Sequence, residues 1–201
     1  MRHLVIMIKE PVPGRVKTRL ACDVGAVRAA WWFRHQTARL VRRVGRDPRW
    51  QTWLSVAPDG ALASAALPGG TRRLPQGDGD LGDRMRRAFQ AMPPGPTLVI
   101  GADIPGIDAR RIWRGFEALR GADAVFGPAP DGGYWLVGLR NRHVADQGFL
   151  SSVRWSSADA LADSEASLRG RWRVARADEL TDVDRLEDLR AAQGAIGLSP
   201  A

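Results

Sequence analysis

The chain has 201 residues, 44% of them hydrophobic and 26% charged, which suits one globular domain. No apolar run approaches the ~20 residues that span a bilayer, no secretory-type leader is visible, and the single cysteine, Cys22, excludes an internal disulfide, so a cytoplasmic protein without a membrane partner is expected. A net charge of +8 raises nucleic acid as a partner, but the arginines (Arg28, Arg86, Arg140 and Arg190 among them) are spread along the chain without a basic arm.

His3 to Ile8 predicts a buried strand. A loop follows that carries two prolines, Gly14, Arg15, Lys17, Thr18 and Arg19, and Cys22 to Val44 then predicts a helix. A strand, a basic glycine-bearing loop and a helix make a phosphate site, because backbone N–H groups and the positive helix end face the anion. Lys9 and Lys17 are the only lysines among 30 basic residues, and both lie in or beside this loop, where Lys17 is expected to be exposed. The plainer alternative is a solvated basic loop. Phe33, Thr37, Leu40, Val41 and Val44 share one helix face, and Trp31 and Trp32 read as packing residues.

Trp50 to Ala57 predicts a second strand, Pro58 to Gly60 a turn, and residues 61–75 a short helix, a loop and a strand near Thr71 to Leu74. The glycine and aspartate loop from Gln76 runs into a helix with Met85, Ala88, Phe89 and Met92 on one face. It has room for a base or ribose and offers the bidentate amide of Gln76, or it is only a connector. Thr97 to Gly101 is wholly apolar and predicts a central strand. Asp108 caps the next helix. Asp123 to Gly127 and Tyr134 to Leu139 form a hairpin, Ser157 to Leu168 a helix, Trp172 to Ala175 an edge strand, and the last helix begins at Asp182. The expected architecture is one α/β domain over 1–193, a mostly parallel mixed sheet with helices on both faces, followed by a tail at 194–201.

Asp103 follows the central strand directly, where ligands sit in open α/β sheets, and a hard carboxylate there suits Mg²⁺ or Mn²⁺. Asp182 and Asp184 are a second carboxylate source, although Asp184 with Glu187 equally fits a capping box. Asp131 is a candidate general base or sugar-hydroxyl partner, unless it only shapes the hairpin turn. Gly132 and Gly133 allow a ligand close to the backbone, and Tyr134, the sole tyrosine, offers a hydroxyl. His3, His35 and His143 are scattered and receive no role.

Five segments in order resemble one family: Lys9 to Leu20, Gly79 to Met85, Gly101 to Pro105, Gly127 to Tyr134 with Leu136 to Leu139, and Asp182 to Asp184 with Glu187 to Leu189. It is the bacterial glycosyltransferase-A-like group of arsenosugar-biosynthesis-type or radical-SAM-associated glycosyltransferases, within the nucleotide-diphospho-sugar transferase superfamily. The resemblance implies a single-domain sandwich that binds a nucleotide diphosphate and a divalent metal. Together with the residue reading it assigns Gly14, Arg15, Lys17, Thr18, Arg19, Gln76, Asp80 and Arg84 to the nucleotide. Asp103, Asp184 and Asp182 go to the metal, Gly132, Gly133, Tyr134 and Trp155 to the acceptor, and Asp131 and Lys17 to catalysis. Pro105 stands where many sugar transferases of this fold have a second aspartate, and Arg154 where a proline is usual before a Trp-Ser-Thr element. The expected activity is metal-dependent transfer from a nucleotide sugar to a small-molecule acceptor. The alternative is a nucleotidyltransferase that joins a nucleoside triphosphate to a phosphorylated small molecule and releases pyrophosphate. A basic nucleic-acid-binding module is the third reading, which the lack of clustered basic residues disfavours.

Overall fold

The computed structural model describes residues 1–141, 148–168, 170 and 172–195; His143 and residues 196–201 lie outside them. Seven strands form one sheet: β1 (His3–Lys9), β2 (Gln51–Ala57), β3 (Arg72–Pro75), β4 (Thr97–Gly101), β5 (Ala124–Pro128), β6 (Tyr134–Leu139) and β7 (Val174–Arg176). Their order is β3-β2-β1-β4-β6-β5-β7. Only β6 runs antiparallel to its neighbours, pairing with both β4 and β5.

The apolar runs seen in the sequence explain the layers. Leu4, Ile6 and Ile8 of β1 pack in a cluster with Phe33 and Leu40 of α2 (Ala26–Val44) and Phe116 of α4 (Ala109–Ala118). Val5 and Val99 of β4 belong to the opposite cluster, with Met85 and Phe89 of α3 (Leu81–Ala91) and Phe126 of β5. Period-2 alternation on strands covered from both sides demands apolar residues throughout, and each buried Leu or Phe contributes about 1.5–3 kcal/mol. A third cluster joins Leu20 of α1 (Thr18–Val24), Ala29 and Val183, and seats α6 (Leu186–Ala195) against α1 and α2.

Some expectations need correction. The helix expected over Cys22 to Val44 is two helices, because Gly25 has φ 86 and ψ 150, outside the helical region. Among the described residues between β2 and β3, the short helix expected within residues 61–75 is absent, and the one helical element there is a 3₁₀ turn, Asp59–Ala61. The helix expected from Ser157 is the shorter α5 (Ala160–Ala166), and the last helix, expected from Asp182, starts only at Leu186 and runs two residues past 193, to Ala195. Trp32 is half-buried against the core, but Trp31 is not a packing residue. It is 62% exposed, with its ring 3.9 Å from that of His35.

The topology decides where chemistry can gather. From β1 the chain first winds outward to β2 and β3, then crosses through α3 to β4 on the other side of β1. The strand order therefore reverses between β1 and β4, and the loops leaving those two strands diverge to open a crevice. The loops after β2, β3, β5 and β7, and the one entering β6, all emerge at this same edge.

Candidate functional site

The loop after β1 enters the crevice at Lys17, whose backbone is left-handed (φ 47, ψ 49). That conformation costs a non-glycine residue about 1–2 kcal/mol and is the kind of strain found at functional sites. The side chain is only 6% exposed, so the expectation of an exposed lysine is corrected. Its Nζ lies 2.7 Å from Asp103 Oδ2 and 2.7 Å from Asp184 Oδ1, with Asp182 Oδ2 at 3.8 Å. Arg19 Nη1 reaches the other oxygen of Asp184 at 2.8 Å.

Three carboxylates expected to surround a metal thus surround an ammonium group. Burial pulls the Lys17 pKa down, but the adjoining Asp103 and Asp184 outweigh it and hold the group above its ordinary value. Burial pushes Asp184 up, but hydrogen bonds from Lys17 and Arg19 prevail and lower it. Asp182 accepts no such bond; burial, with the charges of Asp184, Asp103 and Asp131 added against Lys17, pushes it up to about 6.

No cluster of three or more His, Cys, Asp or Glu among the described residues is arranged to hold a metal. The donor set still fits Mg²⁺ or Mn²⁺ in a narrower way. Asp103 and Asp184 both lie 2.7 Å from Lys17 Nζ, which brings their carboxylates together beside the ammonium, and Mg²⁺ commonly takes one or two carboxylates with the rest of its shell from phosphate and water.

The capping alternative for Asp184 fails. Asp188 Oδ2 accepts from the backbone N–H groups of Asp184 and Arg185, at 3.0 and 2.8 Å. Asp188 thus reaches back to the two N–H groups just before α6, Asp23 Oδ2 accepts from the first helical N–H, that of Leu186, at 3.1 Å, and the Asp184 carboxylate is left for Lys17 and Arg19.

Around this charge centre the crevice has two sides. On one, Arg15, Lys17, Thr18, Arg19, Gln76 and Lys9 line a cavity of about 540 Å³. It continues past Arg15 and Lys9 into a second space, of about 530 Å³, bounded by Glu10, Asp59, Asp78 and Arg84. Arg15 and Thr18 are exposed, as is Gly14, which turns the loop with φ 78. Three residues assigned to the nucleotide also hold structural bonds. Gln76 is buried, and its Nε2 donates to the carbonyls of Ile8 and Ser55 at 3.2 and 2.8 Å. Asp80 caps α3 in a reciprocal box with Asp83. Arg84 Nε donates to the Gly79 carbonyl at 3.1 Å.

On the other side lies a cavity of about 240 Å³, walled by Met7, Leu81, Met85, Val99, Val137 and the rings of Tyr134 and Trp155. Asp103, Asp131 and Asp182 also line it. Asp131 is exposed, and its Oδ1 accepts from Gly133 N–H at 2.9 Å. Two expectations change here. The Tyr134 hydroxyl is hydrogen-bonded to buried Ser164 at 3.2 Å, and burial pushes its pKa far up, so Tyr134 offers the cavity its ring. Gly132, with φ +84, leaves no room for a side chain against the Ala158 backbone, so the close approach it permits is to protein.

Trp155 is set by a strained segment in which Leu150, Ser152 and Ser156 all have φ near +60. Its ring comes so near the first turn of α3 that a Cβ on Gly82 would meet it at 2.9 Å. Leu81, Met85, Met7 and Ser156 line the cavity without standing out as site residues in the sequence. Met85 reads as an ordinary core position in the helical pattern, and nothing local marks the others.

Known proteins compare as follows. A crystal structure of a Desulfovibrio desulfuricans protein assigned as a nucleotide-diphospho-sugar transferase is 28% identical, with a TM-score of 0.81 over 94% of this chain and 85% of that one. The 4-diphosphocytidyl-2C-methyl-D-erythritol synthase of Anaerococcus prevotii shares the fold at 12% identity and a TM-score of 0.62, covering 98% of this chain and 96% of that one. A Mycobacterium tuberculosis protein crystallised with manganese does so at 16% identity and 0.57, over 96% and 98%. The fold is therefore that of the nucleotide-diphospho-sugar transferases. A search of curated proteins finds no match. No helix among the described residues is long and apolar enough to cross a membrane. Residues 40–157 match the family described as "Uncharacterized protein conserved in bacteria (DUF2064)", and the chain belongs to that family.

Proposed function

We propose that this member of the DUF2064 family transfers a glycosyl group from a nucleoside-diphosphate sugar to a small-molecule acceptor. The observation that carries this reading is the meeting of Lys17, Asp103 and Asp184 between the basic cavity and the apolar one. The Desulfovibrio relative, at 28% identity, adds support, and so does the sequence resemblance to the arsenosugar-biosynthesis-type glycosyltransferases.

In this reading the nucleoside lies near Arg84 and Asp59, and Arg15, Thr18 and Arg19 bind the diphosphate. The bond between the anomeric carbon and the diphosphate oxygen breaks, and its electron pair leaves with the nucleoside diphosphate. The acceptor oxygen bonds to the anomeric carbon, and its proton passes to Asp131 or Asp182. A divalent metal bound through Asp103 and Asp184 would supply Lewis-acid stabilisation of the departing diphosphate. Lys17 adds a fixed positive charge beside it.

A nucleotidyltransferase is the second reading. It is favoured by the lone Asp103 before Pro105, with Asp184 coming from a distant loop. The two readings share a donor side and differ in product. The test is a thermal-shift panel of nucleotide sugars and nucleoside triphosphates with and without Mn²⁺, followed by product analysis. Ligands of the native state raise Tm according to their affinity. Nucleoside diphosphate released from a nucleotide sugar supports glycosyl transfer; pyrophosphate released from a triphosphate replaces it with the second reading.

A further inference from the structure

We infer that the acceptor is an uncharged or cationic molecule with an apolar body, seated between Tyr134 and Trp155, and is not a phosphorylated compound. This rests on the transferase reading above and adds the chemistry of the second substrate.

The argument is one of charge placement. Among the described residues, the cavity beyond Asp103 is lined by no lysine, arginine or histidine. That is not for want of supply, since the chain carries 30 basic residues, and Arg15, Lys17 and Arg19 stand together on the other side of the crevice. The charged groups lining the acceptor side are Asp103, Asp131 and Asp182. A phosphate monoester brings up to two negative charges and needs cationic or N–H donors. Here it would meet like charges, an arrangement that strongly disfavours the wrong partner.

Two of the donors there are already engaged. The Gly133 N–H is bonded to Asp131 and the Ser157 hydroxyl to the Arg154 carbonyl at 2.7 Å, while the Tyr134 hydroxyl is turned to Ser164, from which it accepts. What remains is apolar wall, aromatic surface and the Ser156 hydroxyl. The Tyr134 and Trp155 rings lie edge to face at 6.5 Å and form a corner that suits an alkyl, aryl or sugar face. The carboxylates at the rim then accept hydrogen bonds from acceptor hydroxyl or ammonium groups, as their geometry allows.

The same charge distribution separates the two transferase readings. A nucleotidyltransferase of the kind considered must hold an acceptor phosphate against the donor, and among the described residues no lysine, arginine or histidine lines this cavity.

The test uses the full chain with saturating Mn²⁺ and the nucleotide found by the panel above. The probes are phenyl β-glucoside and phenyl β-glucoside 6-phosphate, which differ by one phosphate, and binding is read by calorimetry. The uncharged probe is expected to bind at least tenfold more tightly. Trp155→Ala is expected to weaken it about tenfold while changing nucleotide affinity less than twofold. Asp131→Asn keeps the turn's acceptor oxygen but removes a charge, so it should narrow the gap between the probes several-fold. Equal or tighter binding of the phosphorylated probe overturns the inference, and so does failure of both probes on a protein that binds nucleotide. If no nucleotide binds at all, the transferase reading itself has failed, which the first step of the same experiment reveals.

Discussion

The two sides of the crevice are built by opposite means. The basic side draws most of its cations from one short stretch, Lys9 to Arg19, set at the end of a mostly buried strand, and adds Arg84 from α3. The apolar side is assembled from residues scattered between Met7 and Asp182, supplied by several strands, helices and loops. A charged binding surface can be encoded locally, because a few cations on one loop suffice to attract an anion. An apolar cavity exists only as the gap left by packed elements. Lys17 belongs to the first side by sequence, but its ammonium is held by Asp103 and Asp184, at the border of the second.

The largest expected effect comes from removing that link. Lys17→Met leaves the carboxylates at its tip without a counter-charge, and stripping one partner from a buried ion pair costs about 3–5 kcal/mol, here lowered because the aspartates are partly exposed. Urea unfolding should show a loss of about 2–3 kcal/mol, and turnover should fall at least a hundredfold. The variant should also bind Mn²⁺ more tightly than the native protein when nucleotide is absent, because the metal replaces the missing cation. Lys17→Arg separates charge from shape: it should recover stability but not turnover, since the planar guanidinium does not reproduce a compact ammonium. Native turnover in a folded Lys17→Met protein would remove the residue from catalysis.

Asp103→Asn comes next, because Asp103 lines both cavities. Loss of one preorganised charge at a reacting centre costs roughly a hundredfold in kcat or more, and the stimulation by Mn²⁺ should vanish with it. A titration of activity against Mn²⁺ measures both; an unchanged metal response would exclude Asp103 as a ligand. A smaller effect is expected at Arg15, exposed on the basic side. Arg15→Ala should weaken nucleotide binding about tenfold, the scale of one hydrogen bond to a charged group, and reduce its salt dependence. Its acceptor KM should stay unchanged, and a rise there would show that the two sides are not separate.

The strands show what the sequence makes legible. The apolar runs of β1 and β4, the hairpin of β5 and β6 and the edge position of β7 all follow from short-range pattern and agree with the structure. The carboxylates after β4 and before α6 were singled out by position, but their destination was not readable. Asp184 lies 167 residues from Lys17, and no local pattern encodes that encounter. Local pattern leaves Asp184 equally open to a cap or a metal, whereas the N–H groups around the start of α6 go to Asp188 and Asp23. The burial of Lys17 is hidden from the sequence for the same reason, since loop residues are solvated unless distant parts of the chain fold over them. The orientation of Tyr134 toward Ser164 depends on α5, a helix whose start the sequence placed too early.

Asp182 provides the finest distinction, because it lies beside the ammonium but accepts no close bond from it. Its carboxyl is pushed up to about 6 in the folded protein, from an ordinary value of 3.8. A raised carboxyl pKa means that folding favours the protonated form. The stabilisation is complete below about pH 4 and is lost as pH rises through about 6, above which the ionised group weighs against the fold. Asp182→Asn cannot ionise, so in metal-free buffer its stability relative to the native protein should improve between pH 4 and pH 7. The full shift would correspond to about 3 kcal/mol, but the side chain is 37% exposed and solvent screening reduces the expected gain to about 1 kcal/mol. Urea unfolding of both proteins across this range measures it, and a gap that stays flat with pH would show that Asp182 is not crowded by its neighbours. Saturating Mn²⁺ with nucleotide should shrink the gap at pH 7, because a cation between the carboxylates removes the repulsion that raised the pKa. A gap that persists under those conditions would place the metal away from Asp182 and leave Asp103 and Asp184 as its only carboxylate ligands in this cluster.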